Sequence, residues 1–154
     1  MATTINNATL TVTITEDISL NNSQQGGSNS FSIASVNEVS KRILTIPASA
    51  DTTIATFAGT VATSAGAFDV NDVRYIRLTN LDASNSINVA LIGASDNCQF
   101  VVPAGQSLVF GTPDDFMLGE TDTSPAFTSF EDLNSIIVDS GSNAVDVELF
   151  VASV

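Results

Sequence analysis

The sequence predicts an all-β chain, folded as a single antiparallel β-sandwich of jelly-roll-like build with eight or nine short strands. Three observations carry that expectation. Apolar and polar residues alternate with a period of two along run after run. The breaks between runs are made of Asp, Ser, Asn, Gly and Pro, the residues that turn backbone most readily. No stretch sustains the 3.6-residue period of an amphipathic helix. Short strands with regular turn signals on this scale point to a sandwich, and the jelly roll is the common way to wind about eight of them. The 154 residues make one domain, long enough to bury about two thirds of its unfolded surface without metal or disulfide.

Taken in order, residues 1–8 read as a short polar arm. Leu10, Val12 and Ile14 then alternate with Thr9, Thr11, Thr13 and Thr15, giving a half-buried strand with a threonine outer face. Glu16 to Ser30 contains NNSQQGGSNS and is expected to be a flexible loop, because nothing in it can fill a core. Phe31–Ile33 opens a second extended stretch. Residues 39–46 form a third that stops at Pro47, which cannot donate to a ladder, and 54–61 a fourth. Residues 62–68 are small and irregular.

Val73 to Phe110 is the clearest stretch and reads as a four-stranded β-meander. Ile76 and Leu78 alternate with Tyr75, Arg77 and Thr79, and Val89 and Leu91 with Asn88 and Ala90. Pro103-Ala104-Gly105-Gln106 supplies a turn between 100–102 and 108–110. The turn of the central hairpin, Asp82-Ala83-Ser84-Asn85, has a second copy at Asp139-Ser140-Gly141-Ser142-Asn143, with Gly141 as an insertion. An Asp at the start of such a turn accepts a hydrogen bond from a backbone N–H two residues on, so both are expected to reverse the chain alike. The last strand alternates Val145, Val147, Leu149 and Val151 with Asp146, Glu148 and Phe150.

Residues 111–130 have no convincing periodicity and are longer than most connections inside a domain. They carry Phe116, Met117, Leu118, Phe127 and Phe130 among acids, Ser and Thr. So much apolar area implies a loop that lids the end of the sandwich or reaches a neighbouring subunit.

Composition narrows the function. Seventeen acids stand against four bases, Lys41, Arg42, Arg74 and Arg77, for a net charge of −13. Without a basic stripe, nucleic acid is excluded as a partner. Charged residues are only 14% of the chain, against about 25% in ordinary soluble domains; Ser, Thr and Asn fill the gap with 49 of 154 residues. That polar, weakly charged surface is more usual for extracellular or virion proteins. The N-terminus lacks the pattern of an ordinary signal peptide and no apolar run approaches about 18 residues, so the expectation is a soluble chain with no membrane contact. Cys98 is alone and reads as a buried structural thiol.

Catalytic chemistry finds little footing. There is no histidine, which removes Ser-His-Asp and Cys-His catalysis and histidine-based metal sites. Val138-Asp139-Ser140-Gly141 reads like the motif of aspartic proteases, but such a site needs a second aspartate under a flap, and a turn accounts for the same residues better. Carboxylates gather in loops at Asp69, Asn71 and Asp72, at Asp114 and Asp115, and at Glu120 and Asp122; hard oxygens at loop tips suit calcium, which makes Asp69, Asn71 and Asp72 weak calcium candidates. Acids that merely solvate a loop explain them as well. No cofactor is implied.

Asp72-Val73-Arg74-Tyr75-Ile76-Arg77-Leu78-Thr79-Asn80-Leu81-Asp82 is followed by a turn, an alternating strand and the apolar-Pro-Ala-Gly-Gln-Ser-Leu segment. This run resembles small virion structural proteins of tailed bacteriophages, marine ones in particular. Their pattern has an R-Y-I-R-I-T-N-x-D strand, a polar turn, and a later x-x-G-x turn before a short apolar strand. Glu16–Asn21 and Asn37–Ile43 are similar to these proteins as well. The likeness covers most of the chain up to Phe110 and fades in 111–130. It implies a non-enzymatic component of the virion. The leading expectation is a capsid decoration protein that binds the major capsid protein and forms a homo-oligomer; the alternatives are a tail or fibre-associated protein and a host-glycan-binding module. The candidate partner contacts are Tyr75 and Arg77 on the strand, with Arg77 turned outward, and Phe116, Met117, Leu118 and Phe127 on the long loop.

Overall fold

The computed structural model describes residues 6–60, 66–120 and 123–154. Regular structure among them is all β, in thirteen strands. The chain divides into two compact units, Met1–Glu38 with Val154, and Val39–Ser153; of the arm expected over 1–8, residues 1–5 lie outside the described residues.

In the first unit β1 (Ala8–Thr15) pairs antiparallel with β4 (Ser28–Val36), and between them β2 (Ser19–Leu20) pairs with β3 (Ser23–Gln24). The segment from Glu16 to Ser30 is therefore not a loose loop; it is the continuation and tip of a β-ribbon. Its signal is Asn21-Asn22. Leu20 lies opposite Ser23, so these two residues are the whole turn, and both have positive φ, 51° and 63°. That is the type I′ region, which matches the twist of the strands and which Asn tolerates. Gly26 is required for a different reason: a Cβ there would run into the carbonyl oxygen of Glu16.

Period-two alternation gives this ribbon two unlike faces. On one, Thr11, Thr13 and Thr15 meet Ser32, Ser30 and Ser28 through hydroxyl hydrogen bonds of 3.2, 2.8 and 3.1 Å. On the other, Leu10 lies opposite Ile33 and Val12 opposite Phe31, with Ile14 following.

The second unit is an antiparallel β-sandwich. Its four-stranded sheet runs β11 (Ser107–Phe110), β8 (Val73–Asn80), β13 (Val145–Ser153), β5 (Glu38–Ile46). The five-stranded sheet runs β10 (Asn97–Val102), β9 (Ile87–Ile92), β12 (Ser135–Asp139), β6 (Asp51–Ala58), and the two-residue β7 (Phe68–Asp69), which joins β6 in parallel. Leaving β7 aside, the neighbours β9·β10, β8·β11, β6·β12 and β5·β13 are the rungs of one long hairpin, rolled until β9 meets β12 and β8 meets β13. This is winding in the jelly-roll manner. The core lies between the sheets: Ile76, Leu78, Leu149 and Val151 from one face Val89, Leu91, Ile136 and Val138 from the other, all essentially removed from solvent.

Rolling the hairpin corrects two expectations. Val73–Phe110 is not a meander, because β8 belongs to the four-stranded sheet, β9 and β10 form a hairpin in the other, and β11 returns to pair with β8. Strand alternation alone does not say which sheet a strand joins. Likewise Cys98 is exposed, because β10 is an edge strand with a neighbour on one side only.

The two Asp-led turns are both corners between the sheets, β8 to β9 and β12 to β13. Since β8 pairs with β13 and β9 with β12, the corners lie side by side, and Asn143 Nδ2 donates to Asn85 Oδ1 at 3.2 Å. In one, Asp82 Oδ1 accepts the N–H groups of Ser84 and Asn85, both at 2.7 Å; in the other, Asp139 Oδ1 accepts that of Gly141 at 2.7 Å. The sequence echo thus marks a structural pair. It also accounts for Asp139-Ser140-Gly141 without catalysis, with Ser140 Oγ donating to the carbonyl of Pro47 at 2.8 Å.

Candidate functional site

The residues singled out from sequence do not converge on one site. Tyr75 and Arg77 share the outer face of β8, as their parity requires. Tyr75 is nevertheless only 6% exposed, its ring edge-on to Phe150 at 5.9 Å between centroids, so it is a packed residue and not an available contact. Arg77 faces Phe150 across the β8–β13 ladder, lies 5.9 Å from that ring, and pairs with Glu148, whose other oxygen takes Lys41 Nζ at 3.1 Å. These donors, Lys41 first and then Arg77, hold the Glu148 carboxyl below its ordinary range. Arg77 is thereby committed within its own sheet. Arg74 points elsewhere and donates to the carbonyls of Asn71 and Val73 at 2.5 and 3.0 Å.

The long loop divides in two. Its first part is a lid: Met117 is buried in the core cluster, Phe116 packs against that core, with its ring 5.3 Å from that of Phe110, and Met117 forms a β-bridge with Glu131. Leu118 is half-buried. Phe127 is 74% exposed with φ of 48°, unusual for a bulky residue. With Leu118, Glu120, Thr123, Pro125 and Phe130 it lines a cavity of about 210 Å³. Of the four loop candidates, then, Phe127 alone is presented openly to solvent. Asp122 lies outside the described residues.

The acidic candidates make turns. Asp69 Oδ1 accepts the N–H of Asn71 at 3.0 Å and lies 3.5 Å from its Nδ2, and the Asp72 N–H donates to the Asp69 carbonyl at 3.2 Å. A tighter cluster is one the sequence reading only half named: Asp114, Asp115 and Asp132 bring a carboxylate oxygen each within 4.8 Å of one another. Desolvation first, then the charges of Asp115 and Asp132, push the Asp114 carboxyl above its usual range, and Asp132 hydrogen-bonds it. The Asp115 N–H donates to Asp132 Oδ1 at 3.0 Å, which ties the two loop segments together through the backbone. Calcium takes six to eight oxygens in any case.

Two surfaces escaped notice in the sequence. One is the apolar face of the ribbon, where Ile14 and Phe31 are exposed, as are Ile18 and Leu20 toward the tip. The Leu10-Val12-Ile14 alternation was legible; its partner in 28–36 was not. The other is an open groove of about 540 Å³ next to the paired corners, lined by Ile43, Thr45, Leu81, Asp82, Ala83, Ala144 and Asp146, with Thr45 Oγ1 donating to Asp146 Oδ1 at 2.6 Å.

No family model matches the chain, and no curated protein matches it. A solved structure described as "Bacillus endospore appendages form a novel family of disulfide-linked pili" is similar in fold, with a TM-score of 0.41 and 10% identity over 75% of this chain and 85% of that one.

Proposed function

We propose that the chain is a non-enzymatic structural protein of a bacteriophage virion, a decoration protein that grips the head shell through its β-ribbon. The observation that carries this reading is the ribbon's two-faced build. A two-stranded hairpin is marginal by itself in water, yet this one leaves Ile14, Ile18, Leu20 and Phe31 in solvent. Fully burying an exposed side chain of this kind is worth about 1.5–3 kcal/mol; these four are already about half covered, so they offer roughly 3–6 kcal/mol gross before the cost of docking. The resemblance of the Asp72–Asp82 strand to phage virion proteins supports a place in the particle, and a shell built from the major capsid protein is the partner we propose within it. A sandwich with a continuous core provides the rigid body such a protein needs, and an acidic surface keeps it soluble until it meets a basic patch on the shell.

The test is direct. Purified chain is added to shells assembled from the major capsid protein of the encoding phage, and bound copies are counted by mass spectrometry. Binding should saturate at a number set by the shell lattice, and Leu20→Glu with Phe31→Glu should abolish it while the sandwich melts as in the parent. Failure to bind bare shells, or recovery of the chain only in tails of intact particles, would sink the proposal.

A further inference from the structure

The sandwich has four edge strands, and three are guarded. β5 carries Glu38, Lys41 and Arg42, β7 is two residues ending in Asp69, and β11 is four residues long; charge and shortness are the usual ways to keep an edge from pairing. β10 has neither. Its six residues, Asn97-Cys98-Gln99-Phe100-Val101-Val102, include no charge, and no charge follows until after Pro113. Phe100 is 40% and Val101 65% exposed. The register on β9 sets Cys98 beside Leu91, Phe100 beside Val89 and Val102 beside Ile87. Leu91, Val89 and Ile87 are buried core residues, so Cys98 and Phe100 belong to the core-side face and overhang its border.

We infer that β10 pairs antiparallel with β10 of a second copy, joining the two five-stranded sheets about a two-fold axis at Phe100. A second copy is the fitting occupant for reasons of charge and pattern. Each copy carries −13 overall, so a contact between copies is tolerable only where no acid faces an acid, and this edge meets that condition. Two antiparallel strands related by a two-fold perpendicular to their sheet must oppose residues of the same face, so the axis passes through a residue and not between two. Centred on Phe100, the pairing sets Phe100 against Phe100, Gln99 against Val101 and Cys98 against Val102, apolar groups of the core border covering each other. It also places Asp96 opposite Ala104, past the end of the strand. The interface is isologous and closes at two copies.

This inference stands apart from the shell-gripping role, since it is read on the isolated chain and either can fail alone. Sedimentation equilibrium from about 0.05 to about 0.5 M salt should show mass moving from 16.0 kDa toward twice that value, because screening relieves the repulsion between acidic copies. Phe100→Lys should stay monomeric at every salt concentration, while Ile43→Lys on β5, an edge of the four-stranded sheet, dimerises like the parent. Cysteine pairing fixes the register. Directly opposed residues lie about 4.5–5.5 Å apart at Cα, within disulfide reach. Cys98→Ser with Phe100→Cys should therefore oxidise to a covalent dimer, and Cys98→Ser with Val101→Cys should not. A parent that remains monomeric throughout, assembles beyond dimers, or cross-links through position 101 as readily as through 100 overturns it.

Discussion

Asn80 offers the most demanding test of how the sandwich is held. It ends β8 inside the core, with no exposure, and all of its amide chemistry is spent on the corner. Nδ2 donates to the carbonyl of Asn85 at 2.8 Å and to that of Val102 at 3.2 Å, and Oδ1 accepts the Asp82 N–H at 3.0 Å. One side chain thus ties the β8–β9 corner to the end of β10. Replacing it with Leu, of similar size, removes three hydrogen bonds and strands their partners. At about 1 kcal/mol net for each, the loss should be about 3 kcal/mol, a large share of the 5–15 kcal/mol that holds a typical domain. With a urea dependence of about 2 kcal/mol per molar, the midpoint should fall by about 1.5 M. Asn88→Ala, which removes only an exposed bond to Asp139 at 3.2 Å, should shift it by less than about 0.3 M. The assay is urea unfolding followed by far-ultraviolet circular dichroism. If Asn80→Leu moved the midpoint no more than the Asn88 control, the amide would not be tying the corner, and the argument from buried hydrogen bonds would be wrong.

Three further outcomes follow from charge and backbone geometry. Asp114 has a raised folded-state pKa, so its contribution favours folding below its unfolded value and is lost as pH rises through the folded one; Asp114→Asn should be more stable than the parent at pH 7, with the gain vanishing below about pH 4. Glu148 is shifted the other way, and its contribution is present above the unfolded value and lost as pH falls through the folded one. Glu148→Gln should cost less than about 1 kcal/mol at neutral pH, as expected of partly exposed pairs, and converge with the parent in acid, read by thermal melts across pH. Gly26→Ala should force the ribbon apart at Glu16, seen as faster hydrogen exchange at the Glu16 and Gln25 amides, which donate to Gly27 and Ile18 at 2.8 and 2.9 Å, with exchange from β9 and β12 unchanged.

Local pattern made most strands legible. The alternation at Val73–Leu78, Val89–Leu91 and Val145–Val151 identified strands and their core faces correctly, because burial on one side of a pleated strand imposes a period of two. Sheet membership is not legible: the pattern makes β8 and β9 hairpin partners, whereas they lie in opposite sheets. A two-residue periodicity is blind to which strand lies beside which. The ribbon was missed because Ser, Gln and Gly in 23–30 resemble a linker by composition, whereas what forms the hairpin is turn chemistry at Asn21-Asn22 and hydroxyl pairing across the strands. Tyr75 meets a related limit: parity gives the face of a strand, not whether that face is covered, and Tyr75 is buried on an outer face. The Asp82 and Asp139 turns were recognised as alike from sequence, yet only the fold shows them touching.

Charge separates the two proposed interactions more sharply than shape does. All four bases are committed within the chain: Lys41 and Arg77 to Glu148, Arg42 to the carbonyl of Ile54 at 2.9 Å, with Phe68 beneath it, and Arg74 to the carbonyls of Asn71 and Val73. Arg42 and Arg74 donate to neutral carbonyls and keep their charge, yet with seventeen acids against four bases the field the molecule offers to others is predominantly acidic. An acidic body drawn to a basic shell loses attraction as salt rises, while two acidic bodies meeting at a neutral edge lose repulsion. Shell binding should weaken, and self-pairing strengthen, over the same rise in ionic strength. Were both to move in the same direction, the surface charge could not be what governs them, and at least one contact would have to lie elsewhere on the molecule.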